Sequence, residues 1–224
     1  MGGMNKPLTE QRIRIRYGKQ GALRFVGHLD LSKTWERVLR RAAVPVEYTQ
    51  GFNPRPRMQF AAALQVGVTS ESEFLDVWLT ERLPGSFDDW IERLNATSPA
   101  GLRTYAIEDV PIRGDALPTL VSSAEYVFTF DSGVSPDDLR QRVAALLTAP
   151  QIERVRRDKP YDLRPLILGL TVTGGQTVIA EMVTGDRGMG RPDELLDALG
   201  FEPGSAQIHR RRLVLQPTPS PQQP

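Results

Sequence analysis

The chain has 224 residues, 40% hydrophobic and 25% charged, with a formal net charge of +1, the profile of a soluble globular protein with one large or two small domains. It contains no cysteine, which excludes disulfides, thiolate zinc sites and iron–sulfur clusters held by cysteine. A charge so close to zero gives no global pull toward nucleic acid, no apolar run has signal-peptide length or approaches the roughly 20 residues of a membrane span, and the expected location is cytoplasmic.

Residues 12–17 alternate charged and apolar side chains, the pattern of a half-exposed strand. Residues 29–43 are predicted helical, because Leu31, Trp35, Val38, Leu39 and Ala42 form one stripe; Pro45 stops the helix. Strands are expected at 46–49 and 57–64, on either side of a proline-containing loop, and at 74–79. Ser86 is the expected N-cap of a helix over 87–96, with Asp88 and Asp89 in its first turn, and 102–108 returns as a strand. After a Pro- and Gly-rich stretch the order recurs. Strand 124–130 leads to a helix over 136–147 introduced by Ser135-Pro136. Strands follow at 152–156, 166–173 and 178–183, then a helix over 192–199 and a last strand over 208–215. Arg55-Pro56 and Arg164-Pro165 stand before corresponding strands of the two halves.

This recurrence predicts an α+β protein made of two tandem duplicated ferredoxin-like (βαββαβ-type) halves with antiparallel sheets. The expected boundaries are 1–110 for the first half, 111–122 for a linker, 123–216 for the second half and 217–224 for a disordered, Pro/Gln-rich tail. Tandem ferredoxin-like units occur in several RNA-handling proteins, an analogy at the level of fold alone.

The most distinctive segment is Gly51-Phe52-Asn53-Pro54-Arg55-Pro56-Arg57. Two prolines at i and i+2 exclude a helix and fix φ, while Gly51 and Asn53 tolerate the positive φ of tight turns. Arg55 and Arg57 are therefore held on a stiff loop, and planar guanidinium suits phosphate or carboxylate. The competing reading is an ordinary ion pair with Glu71 or Glu73. Arg164 invites the same two readings, with Asp162 as its local partner. Phe52 and Tyr161 are expected in the two loops, where an aromatic ring can stack a base. The candidate anion- or RNA-binding set is thus Arg55, Arg57, Arg164, Phe52, Asn53, Tyr161 and Lys159, the last closing the basic run Arg154, Arg156, Arg157, Lys159. His28, just before the first helix, is either a general acid or base or a helix N-terminal residue, and the second reading is favoured. His209 is expected on an exposed strand. The segment Gly185-Asp186-Arg187-Gly188-Met189-Gly190 lacks the Lys-Ser/Thr of a phosphate-binding loop and is read as a strand-to-helix connection. No metal-ligand spacing is present, and no cofactor is expected.

Phe25-Val26-Gly27-His28-Leu29-Asp30-Leu31, Trp35-Glu36-Arg37, Leu39-Arg40-Arg41-Ala42, Gly51-Phe52-Asn53-Pro54-Arg55-Pro56 and Val66-Gly67-Val68-Thr69-Ser70-Glu71 resemble the radical SAM-linked protein family. The similarity runs on through Asp162-Leu163-Arg164-Pro165 and Gly190-Arg191-Pro192-Asp193-Glu194-Leu195-Leu196. That family is a domain of unknown function found alone or fused to cobalamin-binding radical SAM proteins, often near ribonuclease E/G and ribosomal-protein genes. The resemblance implies a radical SAM protein as partner. A radical SAM enzyme needs three cluster cysteines, so this chain is not itself one. The function expected is a non-catalytic accessory or substrate-recognition module acting with that partner, on RNA or a ribosome-linked target. Two alternatives stand beside it: a metal-independent RNA-processing nuclease using His28, and a structural adaptor in an RNA-decay or ribosome-assembly complex.

Overall fold

The computed structural model describes residues 9–185 and 188–216, so the tail 217–224 and Asp186 and Arg187 of the glycine-rich segment lie outside the described residues. The chain is α+β. It divides into two units, one made of residues 9–66 and 71–120, the other of residues 67–70 and 121–216. No helix among the described residues is long and apolar enough to cross a membrane.

The first unit is built on alternation in β1 (Gln11–Lys19). Ile13, Ile15 and Tyr17 go to the core, where they join Leu31, Trp35, Val38 and Leu39 of α1 (His28–Arg41). Leu75, Val77 and Leu79 of β3 (Thr69–Leu79) and Trp90 and Leu94 of α2 (Phe87–Thr97) complete it. Each such buried side chain contributes about 1.5–3 kcal/mol. The Tyr17 and Trp35 rings meet edge to face at 5.0 Å. α2 starts where the sequence says it should: Ser86 Oγ accepts from the Asp89 N–H, and the Asp89 carboxylate accepts from the Ser86 N–H, a reciprocal capping box. β2 (Met58–Phe60) and β4 (Leu102–Val110) complete a sheet of order β4-β1-β3-β2. Residues 111–116, expected to belong to a linker, are held by Arg12, which donates to the carbonyls of Pro111 and Asp115. The short α3 (Leu117–Leu120) follows, with Leu117 buried and its N–H given to Gln59 Oε1.

Two expected strands shrink. Residues 46–49 make only isolated bridges, Val46 to Leu79 and Tyr48 to Pro56, and residues 57–64 keep three residues of strand. Pro45, Pro54 and Pro56 remove backbone donors that a full ladder needs. One strand grows: β3 begins at Thr69 and not at Phe74, because Ser70, Ser72 and Glu73 are buried polar residues that hide the apolar pattern.

The second unit runs β5 (Val121–Phe130), α4 (Pro136–Thr148), β6 (Glu153–Arg156), β7 (Lys159–Asp162), β8 (Ile167–Thr173), β9 (Thr177–Val183), α5 (Pro192–Ala198) and β10 (Ala206–Leu215). Its sheet order is β10-β5-β9-β8, with β6 and β7 forming a separate hairpin. Pro136 opens α4 as expected, but Ser135 makes no capping bond through its side chain. The pairing is not antiparallel throughout: the first residues of β3, Thr69 and Ser70, run parallel to His209 and Arg210 of β10. β7 was not expected. Arg157 and Asp158 both take positive φ (51° and 61°) in the turn that creates the hairpin, a conformation usually signalled by Asn or Gly.

Asp76 of β3 has no exposed surface and accepts hydrogen bonds from Arg12 (2.6 and 3.1 Å) and Arg14 (2.8 and 3.0 Å). Arg12 is itself 3% exposed. Removing the carboxylate leaves a buried guanidinium uncompensated, so Asp76→Ala should lower stability by about 3–5 kcal/mol, as read by denaturant unfolding. A loss below about 1 kcal/mol would show that the triad contributes little.

Candidate functional site

The loop that carries Arg55 and Arg57 is pinned at its base. Thr49 N–H donates to the Arg55 carbonyl (2.8 Å), Arg55 N–H to Thr49 Oγ1 (3.0 Å), and Arg57 N–H to the Glu47 carbonyl (2.6 Å). Gly51 takes φ +136°, where only glycine is unstrained. At the tip Phe52 is wholly exposed, and Asn53 and Arg55 are exposed beside it. The Arg55 guanidinium meets no hydrogen-bond or ion-pair partner among the described residues.

Arg57 is partly committed. Its Nη1 donates to Glu47 (3.0 Å) and to Thr9 Oγ1 (3.3 Å), so its ion-pair partner is Glu47 and not Glu71 or Glu73. Its Cζ lies 4.7 Å from the centroid of the Trp78 ring, and Arg12 Cζ lies 4.6 Å from the same ring. Arg57 and Trp78 line a cavity of about 560 Å³ with Arg12, Gln59, Arg113 and Asp115. Glu47 offsets the charge of Arg57 and Asp76 is shared by Arg12 and Arg14, so an anion here would be met chiefly by Arg113. Arg12 spends its donors on Asp76 and two carbonyls; the exposed Arg113 makes no hydrogen bond or ion pair among the described residues and is available to a ligand. Arg12, Trp78, Gln59 and Arg113 were not singled out by sequence. They come from β1, β3, β2 and the segment after β4, and no short motif joins them.

The remaining candidates lie in the second unit. Tyr161 is not in a loop but in β7, half-buried. Its hydroxyl donates to Glu194, its ring lies 4.7 Å from Arg156 Cζ, and Arg156 in turn pairs with Glu194. Burial, with the Glu194 bond acting in the same direction, pushes the Tyr161 phenol up to about 12. The Glu194 hydrogen bond holds the Arg156 guanidinium more firmly protonated than usual. Tyr161 is therefore engaged within its own unit. Arg164 donates to the carbonyls of Leu147 (3.1 Å) and Ile167 (3.1 Å), and so satisfies a carbonyl left open at the end of α4. Asp162 does not pair with the Arg164 guanidinium: it accepts from the backbone N–H of Arg164 and of Ile152. Lys159 is exposed at the start of β7.

His28 is exposed at the first turn of α1, its ring edge-on to Phe60 at 5.0 Å. His209 is half-buried and not exposed, with Nδ1 2.9 Å from Thr69 Oγ1. Among the described residues no three His, Asp or Glu side chains stand close enough together to hold a metal ion.

The chain belongs to the family described as "Uncharacterized protein conserved in bacteria" (DUF2344), whose model matches residues 12–192. The match takes in Arg12, the loop from Gly51 to Arg57, Tyr161 and Arg164. No curated protein matches the chain.

The raised Tyr161 value has a sign. Below pH 10, its ordinary value, folded and unfolded chains both keep the phenol proton and its contribution is complete. Between 10 and about 12 the unfolded chain ionises first and that contribution is lost. Wild type should therefore lose stability across this window more steeply than Tyr161→Phe, and a difference absorbance titration should show one phenol ionising near 12. If the phenol lost in Tyr161→Phe were one ionising near 10, the burial of Tyr161 against Glu194 would be contradicted.

Proposed function

We propose that the protein is a non-catalytic recognition module that binds RNA, or a ribosome-linked RNA target, on behalf of a cobalamin-dependent radical SAM partner. The observation that carries this reading is the pinned loop of the first unit. It presents at Arg55 a guanidinium with no partner among the described residues and at Phe52 a wholly exposed ring, and its foot, Arg57, lines a cavity with Arg12 and Arg113. Anchoring the loop before binding reduces the ordering cost that a mobile arginine would incur. An exposed ring has no packing role, but it can stack an unpaired base. The absence of cysteine leaves cluster chemistry to another chain, and the motif resemblance supplies the class of that chain.

In this reading the scaffold is a duplicated ferredoxin-like fold. Its support is the sheet order. With the β6–β7 hairpin set aside, both units run β-α-β-β-α-β, and both place their strands fourth, first, third, second, as β4-β1-β3-β2 and β10-β5-β9-β8. The β6–β7 hairpin is an insertion between α4 and β8. The nuclease reading needs a second acid or base beside His28, and the group against that ring is Phe60.

Arg55 is the clean test, because Arg57→Ala also strips Glu47, whose side chain is 9% exposed, of its ion-pair partner. Arg55→Ala should leave the melting temperature unchanged and reduce the slope of log affinity against log salt by about one for a labelled single-stranded RNA. Arg55→Lys should recover the slope but only part of the affinity. Equal slopes for wild type and Arg55→Ala would remove the loop from the binding surface. RNA cleavage by the purified protein, abolished in His28→Ala, would replace the proposal with the nuclease reading.

A further inference from the structure

β4 carries one residue more than β1 at the centre of their ladder. Arg16 pairs with Ala106 and Tyr17 with Thr104, so Tyr105 is the extra, bulged residue. Bulges re-aim a side chain and recur beside functional sites. The Tyr105 ring is half-buried and lies against two exposed arginines, Arg16 with Cζ at 5.2 Å and Arg103 at 6.0 Å. Neither guanidinium has a carboxylate partner among the described residues; Arg16 reaches only the Glu71 carbonyl, at 3.5 Å. Two like charges gathered at one ring repel each other, and an anion placed between them relieves that repulsion.

A cavity of about 460 Å³ is lined by Gln20, Asn95, Gly101 and Arg103 among others. Gln20 and Arg103 belong both to this cavity and to the surroundings of Tyr105, the Gln20 amide lying 3.4 Å from the hydroxyl. The walls are fixed. Asn95 both donates to the Thr104 carbonyl (3.0 Å) and accepts from its N–H (2.8 Å). Gly101 has φ +88° and passes so close to the Gln20 carbonyl that a Cβ would stand 2.3 Å from it.

We propose that Tyr105, Arg16 and Arg103 form a nucleotide subsite for single-stranded RNA, in which a base stacks on the Tyr105 ring at the mouth of this cavity and its flanking phosphates close on the two guanidiniums. The inference rests on the RNA reading above but uses residues remote in sequence from the Gly51–Arg57 loop. Stacking and charge neutralisation are separate contributions and can be removed separately.

The test is fluorescence anisotropy with a labelled single-stranded RNA decamer and, as a second probe, an abasic ribose-phosphate decamer of equal charge. Tyr105→Phe keeps the ring and should bind RNA within about twofold of wild type. Tyr105→Leu keeps apolar bulk without the ring and should bind about five- to hundredfold more weakly, with little change for the abasic probe. Arg16→Gln/Arg103→Gln should lower the salt slope by about two for both probes, and it serves as the test if the Leu variant fails to fold. Wild-type affinity in Tyr105→Leu, with Arg55→Ala weakened, would overturn the subsite and leave the loop reading standing. Equal losses in the Phe and Leu variants would overturn stacking. A polyglutamate peptide binding as tightly as RNA would overturn it in favour of plain anion capture. No RNA binding by wild type would overturn both readings.

Discussion

A carboxylate with no access to water holds the first unit's basic surface in place. Arg12 and Arg14 both reach Asp76 in the interior, and hydrogen bonds from both guanidiniums offset the cost of desolvating that carboxylate. Arg12 then extends the constraint outward. It bonds the carbonyls of Pro111 and Asp115, which places the segment bearing Arg113, and it lies on the Trp78 indole. Arg57 lies against that same indole and joins the unit to Glu47. Glu47 and Arg57 are the feet of the loop that raises Phe52 and Arg55. A surface that looks like loop and solvent thus traces back to one buried ion cluster.

The arginines sort by what they touch. Arg142, Arg156 and Arg164 of the second unit close carbonyls or meet carboxylates of their own unit: Arg142 reaches the Leu199 carbonyl, Arg156 reaches Glu194 and Arg164 reaches the Leu147 carbonyl. Their donors are used to hold helix ends and a hairpin in place. Arg55, Arg103 and Arg113 of the first unit have donors without partners among the described residues, and two of them stand beside an aromatic ring or a cavity wall. Formal charge is nearly balanced over the chain, so any attraction for an anion is local, and it depends on this difference in commitment and not on counts of basic residues.

Much of the fold was legible because its signals are short-range. The apolar stripe of α1, the Ser86 N-cap and the proline that opens α5 are properties of neighbouring residues. The loop's stiffness was legible too, since two prolines and a glycine dictate it. What escaped depended on partners distant in sequence. Arg12 and Arg14 look like the exposed side of an alternating strand, but Arg12 is buried and Arg14 half-buried where both reach Asp76. Tyr161 looked like a loop aromatic, and is bound to Glu194 from α5. β3 was cut short because Ser70, Ser72 and Glu73 are polar although buried. Tyr105 carried no signal at all, since a bulge is a mismatch between two strands and neither strand records it alone.

The central claim is that the first unit's loop and the β1–β4 surface carry the contact with RNA. Ultraviolet crosslinking of the purified protein to a 4-thiouridine-containing single-stranded RNA, followed by mass mapping of the modified peptides, addresses it directly. The account predicts adducts on the peptides holding Phe52 and Tyr105. Adducts confined to residues 121–216, or none above a denatured control, would contradict it.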